Sequence, residues 1–404
     1  MKTELINLRV TEVTSNGEKL QFIKFPWRLY KGDPYWVPPL IGDRKVMLDP
    51  KKNPSFEHME VALFLATAII KQPNMTIAPG LPMAPLDNEV VGTIAAIINH
   101  RHNEFHDEQV GFFGFFECVN DPQVATALLD AACEWVAERG MTAIRGPMNL
   151  STNDECGLLV DGFDSAPMVM MTYNPPFYPE LIEQAGFQKA MDLLAYFMDF
   201  GEARDLGQLP SKLTRVAEKV RKRGEVRLRP IDMKDFGREV ERFKEVYNQA
   251  WEKNWGFVPM TEAEIDHLAK QLKQAVDPDL IWIAEVAQGP EEGRVVGVGL
   301  TLPDVNVVLK HMNGRVNPIT ILKALYYQRK IKAARVIALG VVEEWRGRGV
   351  DALLYYETAR AGLAKGYQRG EGSWILESNV MMNRALQMLG GRVYKRYRVY
   401  EKAL

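Results

Sequence analysis

Residues 335–355 constrain this chain more than any other stretch. Val336-Ile337-Ala338-Leu339-Gly340-Val341-Val342 is an unbroken apolar run, the pattern of a buried strand. The chain then turns through Arg346-Gly347-Arg348-Gly349. Apolar residues at 350, 353, 354 and 361 predict a helix, with Asp351 where a first-turn carboxylate is favoured. Strand, glycine turn and helix start together point backbone N–H groups at an anion. Gly347 and Gly349 permit close approach and positive φ. Arg346 and Arg348 add charge-assisted donors suited to phosphate oxygens. The expected ligand carries a diphosphate. An ordinary strand-to-helix turn would use the same residues, so the motif needs its structural context.

The rest of the chain repeats an order. Leu5–Val13 alternates as a strand, Glu18–Tyr30 reads as a helix, and Val61–Ile70 and Val90–Asn99 read as a hairpin around a proline-rich loop at 71–88. Phenylalanine-rich Val110–Val119 is a central strand. Asp121-Pro122 starts a helix that Gly140 stops. A short strand, a polar loop, a short helix and Met191–Phe200 then close a first unit. After a basic helix at 211–223, the order returns: Val226–Ile231, helices 236–251 and 261–274 (the second opened by a Thr261/Glu264 capping box), a hairpin at 280–302, and the opening strand-loop-helix. Ser373–Glu377, Met381–Leu389 and Val393–Glu401 finish as strand, helix and strand. Two tandem α/β units result: residues 1–200, a helical linker at 201–224, and residues 225–404, each of ordinary domain size.

Polar groups collect after the strand at 141–145, where open α/β sheets place ligands. Asn149, Asn153 and Glu155 are candidate substrate contacts there, although such a loop also satisfies its own backbone. His100, His102 and His106 could share a face, but they lie in a polar connector with a loose ligand pattern, and no metal is expected. Cys118, Cys133 and Cys156 are few, odd in number and widely spaced, as in a cytoplasmic protein with reduced thiols.

The 346–351 turn resembles the cofactor loop of the GNAT acyltransferases: Arg or Gln, two residues, Gly, one residue, then Gly or Ala. Arg346 and Gly349 match, and Asp351 departs from the pattern. The element order of both halves is also that of the GNAT fold, a mixed and mostly antiparallel sheet flanked by helices. In the first half Glu117-Cys118-Val119-Asn120-Asp121 replaces the glycine–arginine turn, so only the second half is expected to hold the cofactor. The whole chain further resembles bacterial ceramide synthases, acyltransferases that work on long-chain amines.

The resemblance implies an N-acyltransferase using coenzyme A, or a carrier-protein thioester, as acyl donor. Such a reaction must hold the thioester, stabilise its oxyanion and leave the amine unprotonated. The cofactor falls to Val341, Arg346, Gly347, Arg348 and Gly349, with a backbone N–H near Gly340 or Val341 as oxyanion donor. Glu377 is the expected base and Asn379 a positioning group. The tyrosine that often serves as acid falls at Leu386 in this register, which leaves Tyr394 and Tyr397 as substitutes. The alternative is a silent scaffold of the same fold that binds a partner or lipid.

With 50 Lys/Arg against 52 Asp/Glu, the chain has no global attraction for nucleic acid. No apolar run reaches transmembrane length and the first residues are no signal peptide, so a cytoplasmic location is expected. Residues 305–342 hold seven Lys/Arg, no acid and an apolar cluster, and are the expected site of any peripheral membrane contact.

Overall fold

The computed structural model describes residues 4–71, 88–201, 209–273 and 275–404. The proline-rich loop of the hairpin lies mostly outside them. The strands are β1 Glu4–Glu12, β2 Met59–Lys71, β3 Glu89–Asn99, β4 Val110–Cys118, β5 Ala143–Gly146, β6 Leu158–Asp161, β7 Gln188–Asp199, β8 Val226–Pro230, β9 Ile281–Val286, β10 Val295–Pro303, β11 Ala333–Val341, β12 Arg369–Leu376 and β13 Arg392–Ala403. The helices are α1 Asn16–Leu29, α2 Ile41–Met47, α3 His100–His106, α4 Pro122–Ala137, α5 Tyr178–Gln184, α6 Ser211–Arg223, α7 Phe236–Trp251, α8 Glu262–Leu272, α9 Asn306–Met312, α10 Pro318–Tyr327, α11 Val350–Ala364 and α12 Val380–Met388.

All strands join one mixed sheet in the order β1-β2-β3-β4-β5-β13-β7-β12-β11-β10-β9-β8, with β6 on β13. Each half builds an antiparallel run that ends in a short parallel pair: β4 with β5, and β11 with β12. The expected α/β architecture and its internal repeat are both present. In the first half α4 covers one face, packing Leu128, Leu129 and Val136 with Ile94 and Ile98 of β3. On the other face α1 brings Phe22 and Ile23 onto Leu63, Leu65 and Ile97. Burial of these faces, more than helix propensity, fixes the helices in place.

The halves exchange their last strands. Residues 191–200 were expected to close the first unit. The strand forms, but its hydrogen bonds go to β12 and β13 of the second half. β13 in turn pairs with β5 of the first half. Period-2 alternation says which face of a strand is buried and nothing about which edge it will join. The sheet therefore runs unbroken across the expected linker. The helix of that linker, α6, also packs: Leu213, Ala217 and Val220 meet Leu353 and Tyr356 of α11.

In the second half α11 and α7 cover opposite faces. Leu354 of α11 lies over Gly297 and Gly299 of β10, while Trp251 of α7 lies over Gly340. A Cβ on Gly340 would stand 2.5 Å from the Trp251 ring, so only glycine allows α7 this close. Among the described residues no helix is long and apolar enough to cross a membrane.

Candidate active site

The parallel pair β11–β12 holds register only from Ala333–Val336 against Arg369–Gly372. Beyond that the strands part. On β11, Ala338 pairs with Leu300 and Val336 with Thr301, which leaves Ile337 as a bulged extra residue. On β12 the register with β7 slips between Gly372 and Ile375. The result is a cleft of about 1080 Å³ whose walls are β11 from Val336 to Val341 and β12 from Gly370 to Leu376. Val342 N donates to Val296 O at 3.0 Å. By strand alternation Gly340 and Ala338 also face β10, so the N–H groups of Leu339 and Val341 turn into the cleft.

The cleft is largely carbon-lined: Met198 and Phe200 follow from β7, Leu213 from α6, Ala359 and Gly362 from α11, and Met381, Met382 and Met388 from α12. Among the described residues its charged lining is Lys212, Arg346, Arg369 and Arg384 against one carboxylate, Asp351. That balance suits an anionic ligand with a long apolar part.

The glycine–arginine loop sits at the cleft mouth. α11 begins at Val350 after Gly349 at φ +87°, and that N-cap offers no side-chain acceptor to the first amides of the helix. Gly347, at φ +73°, lines the cleft and has open space around its missing Cβ. Gly349 instead faces α6, where a Cβ would lie 2.9 Å from Val220 Cγ2 and 3.1 Å from Val216 Cγ1. Arg346 folds the loop onto the strand end: Nε donates to Val341 O at 3.1 Å and Nη2 to Ala250 O at 2.8 Å. The Arg348 guanidinium lies 4.6 Å from the Trp345 ring centroid. Of the five residues assigned to the cofactor, Val341, Arg346 and Gly347 line the cleft.

At the apex, where β11 and β12 part, a buried polar chain begins at the cleft-lining Ser373. Ser373 Oγ donates to Glu371 Oε1 at 2.5 Å and accepts from Arg335 Nε at 2.8 Å. The Tyr394 hydroxyl donates to the other Glu371 oxygen. Burial, reinforced by the Glu371 carboxylate, holds the Tyr394 phenol far above its usual range, so it stays protonated. Arg335 Nη1 donates to Val169 O at 2.8 Å, which ties the first half to this cluster. Asp304, on the same cluster, is pushed up to about 7, chiefly by burial. Three buried polar atoms near the apex, Thr301 Oγ1, Trp374 Nε1 and Tyr397 Oη, have no partner among the described residues.

The other sequence candidates divide. Asn379 lines the cleft, where its side chain caps α12 by accepting from Met382 N at 3.1 Å. Glu377 lies outside the lining; its carboxylate accepts from Lys189 Nζ at 2.8 Å and from Asp192 N at 3.2 Å. Asn149, Asn153 and Glu155 are also away from the cleft. Asn149 accepts from Phe115 N at 2.7 Å and donates to Glu155 at 2.8 Å, and Glu155 takes Arg44 at 2.6 Å. Asn153 donates to Val258 O at 2.9 Å, and Thr152 to Gly256 O at 2.7 Å, so this loop staples the halves together. In the first half, the position that the cleft occupies in the second is thus filled by the chain's own Asn149.

The three clustered histidines go to separate partners: His100 to Glu60, His102 to Glu108 and His106 to Phe257 O. Among the described residues no group of three His, Cys, Asp or Glu is arranged to hold a metal ion.

The sequence did not single out Ser373, Tyr355 and Arg384, which line the cleft, or Glu371, which takes the Ser373 hydroxyl. It places the strand start at Ser373, whereas β12 starts at Arg369. Glu371 therefore falls outside the strand expected at Ser373–Glu377. An acid flanked by Gly370 and Gly372 beside an apolar strand was the available signal.

No family model matches the chain. The bacterial ceramide synthase of Caulobacter vibrioides is 37% identical over 408 residues, covering 98% of this chain and 98% of that protein. Protein YghO of Escherichia coli is 38% identical over 389 residues, covering 95% of this chain and 92% of that protein. Among solved structures, a tandem GNAT protein from the clavulanic acid biosynthesis pathway matches over 98% of both chains with a TM-score of 0.54 and 12% identity. That likeness is one of fold.

Proposed function

This chain belongs to the family of the bacterial ceramide synthase and YghO, with the tandem GNAT fold, and on that premise we propose that it is an N-acyltransferase. It moves a long acyl group from a coenzyme A thioester to the amine of a long-chain, sphingoid-like acceptor. The observation that carries this reading is the β11–β12 cleft, bordered by the glycine–arginine loop, with four cations in its lining and a methionine-rich, apolar interior. Methionines adapt to flexible chains. The partnerless Thr301 and Trp374 atoms, both of cleft-lining residues, suit an acceptor with a polar, hydroxyl-bearing head.

In this reading the coenzyme diphosphate lies on the amides that open α11, with Gly347 leaving room for it. The pantetheine arm follows β11, and the N–H of Leu339 or Val341 meets the thioester oxygen. The acceptor enters as the free amine, any ammonium proton having gone to solvent, and attacks the carbonyl. As the C–N bond forms, the nitrogen passes its proton through Ser373 to Glu371, which Arg335 and Tyr394 hold in place, and the C–S bond breaks. Tyr355 lines the cleft, and burial and then Asp351 raise its phenol, so it keeps a proton to give the departing thiolate. Glu377, committed to Lys189, takes no part, and Asn379 shapes the cleft wall.

Asp351 favours a second reading. Its carboxylate lies in the same cleft as the proposed phosphates. A carrier-protein thioester, whose arm has one phosphodiester in place of a diphosphate, would meet less repulsion there. The purified protein, given palmitoyl-CoA or palmitoyl-carrier protein with a sphingoid base, should release free thiol and form the amide. Absence of both products with every donor would leave the silent scaffold.

A further inference from the structure

Helix α10 turns its apolar residues outward. Thr320 is buried, and Ala324 and Tyr327 beside it are half-buried, so these form the face on the protein. At 100° per residue Ile319, Leu322, Leu325 and Tyr326 point the opposite way, and they are 68%, 68%, 52% and 58% exposed. Val316, 65% exposed, extends the patch into the preceding turn. An ordinary surface helix does the reverse. A contiguous patch of this kind marks an interaction site.

The helix does not hang loose. Trp27 Nε1 donates to Asn313 Oδ1 at 2.9 Å, and Ile41 N to Gly314 O at 3.0 Å. Gly314 lies so close to Trp27 that a Cβ would stand 2.3 Å from its ring. The first half thus holds the α9–α10 hairpin as a fixed platform. Around the apolar tips stand Arg315, Lys323, Arg329, Lys330 and Lys332, and no acidic residue lies between Asp304 and Glu343. Arg335, also in this stretch, is buried at the apex.

We propose that α9–α10 docks the protein on the surface of an anionic bilayer. The apolar tips enter the acyl boundary, and the cations beside them meet lipid phosphates. Charge complementarity selects this occupant: protruding apolar side chains in a stretch with these five exposed Lys/Arg and no acid of its own fit anionic headgroups over hydrocarbon.

The placement adds a direction. The platform joins the sheet at Pro303 and Ala333, while the glycine–arginine loop follows the other end of β11. A nine-residue strand spans roughly 25–30 Å, several Debye lengths at physiological salt. The loop would therefore face water, where an anionic coenzyme escapes the repulsion of the lipid surface. The apex cluster of Arg335, Glu371 and Ser373 lies at the bilayer end. This directional part rests on the acyltransferase reading; the docking itself does not.

Co-sedimentation of the full chain with vesicles tests it. One set is phosphatidylcholine alone; the other is equal parts phosphatidylcholine and phosphatidylglycerol. The wild type should sediment with the anionic vesicles only. Ile319→Ser/Leu322→Ser and Lys323→Glu/Lys330→Glu should each bind about tenfold or more weakly. Both pairs are exposed, and unchanged melting and unchanged palmitoyl-CoA titration would show the fold and the cleft intact. Wild-type protein that ignores anionic vesicles, or variants that bind as the wild type does, would overturn the proposal. So would a dimer by light scattering that Ile319→Ser/Leu322→Ser splits without any vesicle binding, because the face would then join two copies of this chain.

Discussion

Alanine at Gly347 and at Gly349 should have opposite consequences, although the two glycines are two residues apart. Both have positive φ, +73° and +87°, so either alanine costs roughly 1–2 kcal/mol of backbone strain. Space separates them. The Gly349 Cβ would meet Val220 at 2.9 Å and Val216 at 3.1 Å, and overpacking against α6 adds about 1–3 kcal/mol. Gly349→Ala should therefore lose about 2–5 kcal/mol of stability, a large share of the ~5–15 kcal/mol a folded protein holds. Gly347→Ala should lose only the strain, since nothing lies within 4 Å of its Cβ. That open space is where the diphosphate is proposed to lie. Displacing one charged hydrogen bond costs about 1.5–3 kcal/mol, so palmitoyl-CoA should bind roughly 10- to 100-fold more weakly. Urea denaturation reads the first quantity and titration calorimetry the second. A well-folded Gly347→Ala that binds palmitoyl-CoA as tightly as the wild type would refute the loop as a phosphate cradle.

Further substitutions probe the rest of the account. Glu371→Gln and Ser373→Ala should lower turnover by about 10²-fold or more, whereas Glu377→Gln should leave it near wild type; steady-state kinetics with a saturating sphingoid base would show the contrast. Gly362→Phe projects into the cleft from α11, where a Cβ meets nothing within 4 Å, and should shift donor preference from palmitoyl-CoA to shorter acyl chains in a competition assay. Burial pushes Glu117, Asp154 and Asp304 up to about 7. The folded chain then keeps protons that the unfolded chain has released above pH ~4, so these groups make stability fall as pH rises from about 4 to 7. Asp304→Asn should flatten that slope and stabilise the protein at pH 8, by at most about 4 kcal/mol. Denaturation curves at pH 6 and pH 8 provide the check.

Much of the local structure was legible because local chemistry dictates it. The Thr261/Glu264 capping box forms with both of its hydrogen bonds, and Asp121 caps α4 through Gln123 N. The apolar run at 336–342 is a buried strand, and Val350, Leu353 and Leu354 bury the helix that follows. What could not be read is set by partners distant in sequence. β7 carries the unbroken apolar run Leu193–Met198, buried on both faces as in any central strand, and nothing in it says that β12 and β13 flank it. The β11 bulge at Ile337 opens the cleft, yet its sequence is ordinary. Glu377 looked functional because it follows an apolar strand, but Lys189 of β7 reaches it only through the strand exchange. The polar run at 149–155 looked like a ligand surface, and its hydrogen bonds are spent instead on Phe115, Arg44 and the 256–258 turn.

The most direct measurement is a crystal structure with a non-hydrolysable palmitoyl-CoA thioether. The expected density runs from the amides at Gly347–Val350, along β11 within hydrogen-bond reach of Leu339 and Val341 N–H, and into the methionine-lined interior beside α12. Coenzyme bound elsewhere, with Asp351 turned into the mouth and the space between β11 and β12 empty, would contradict the account.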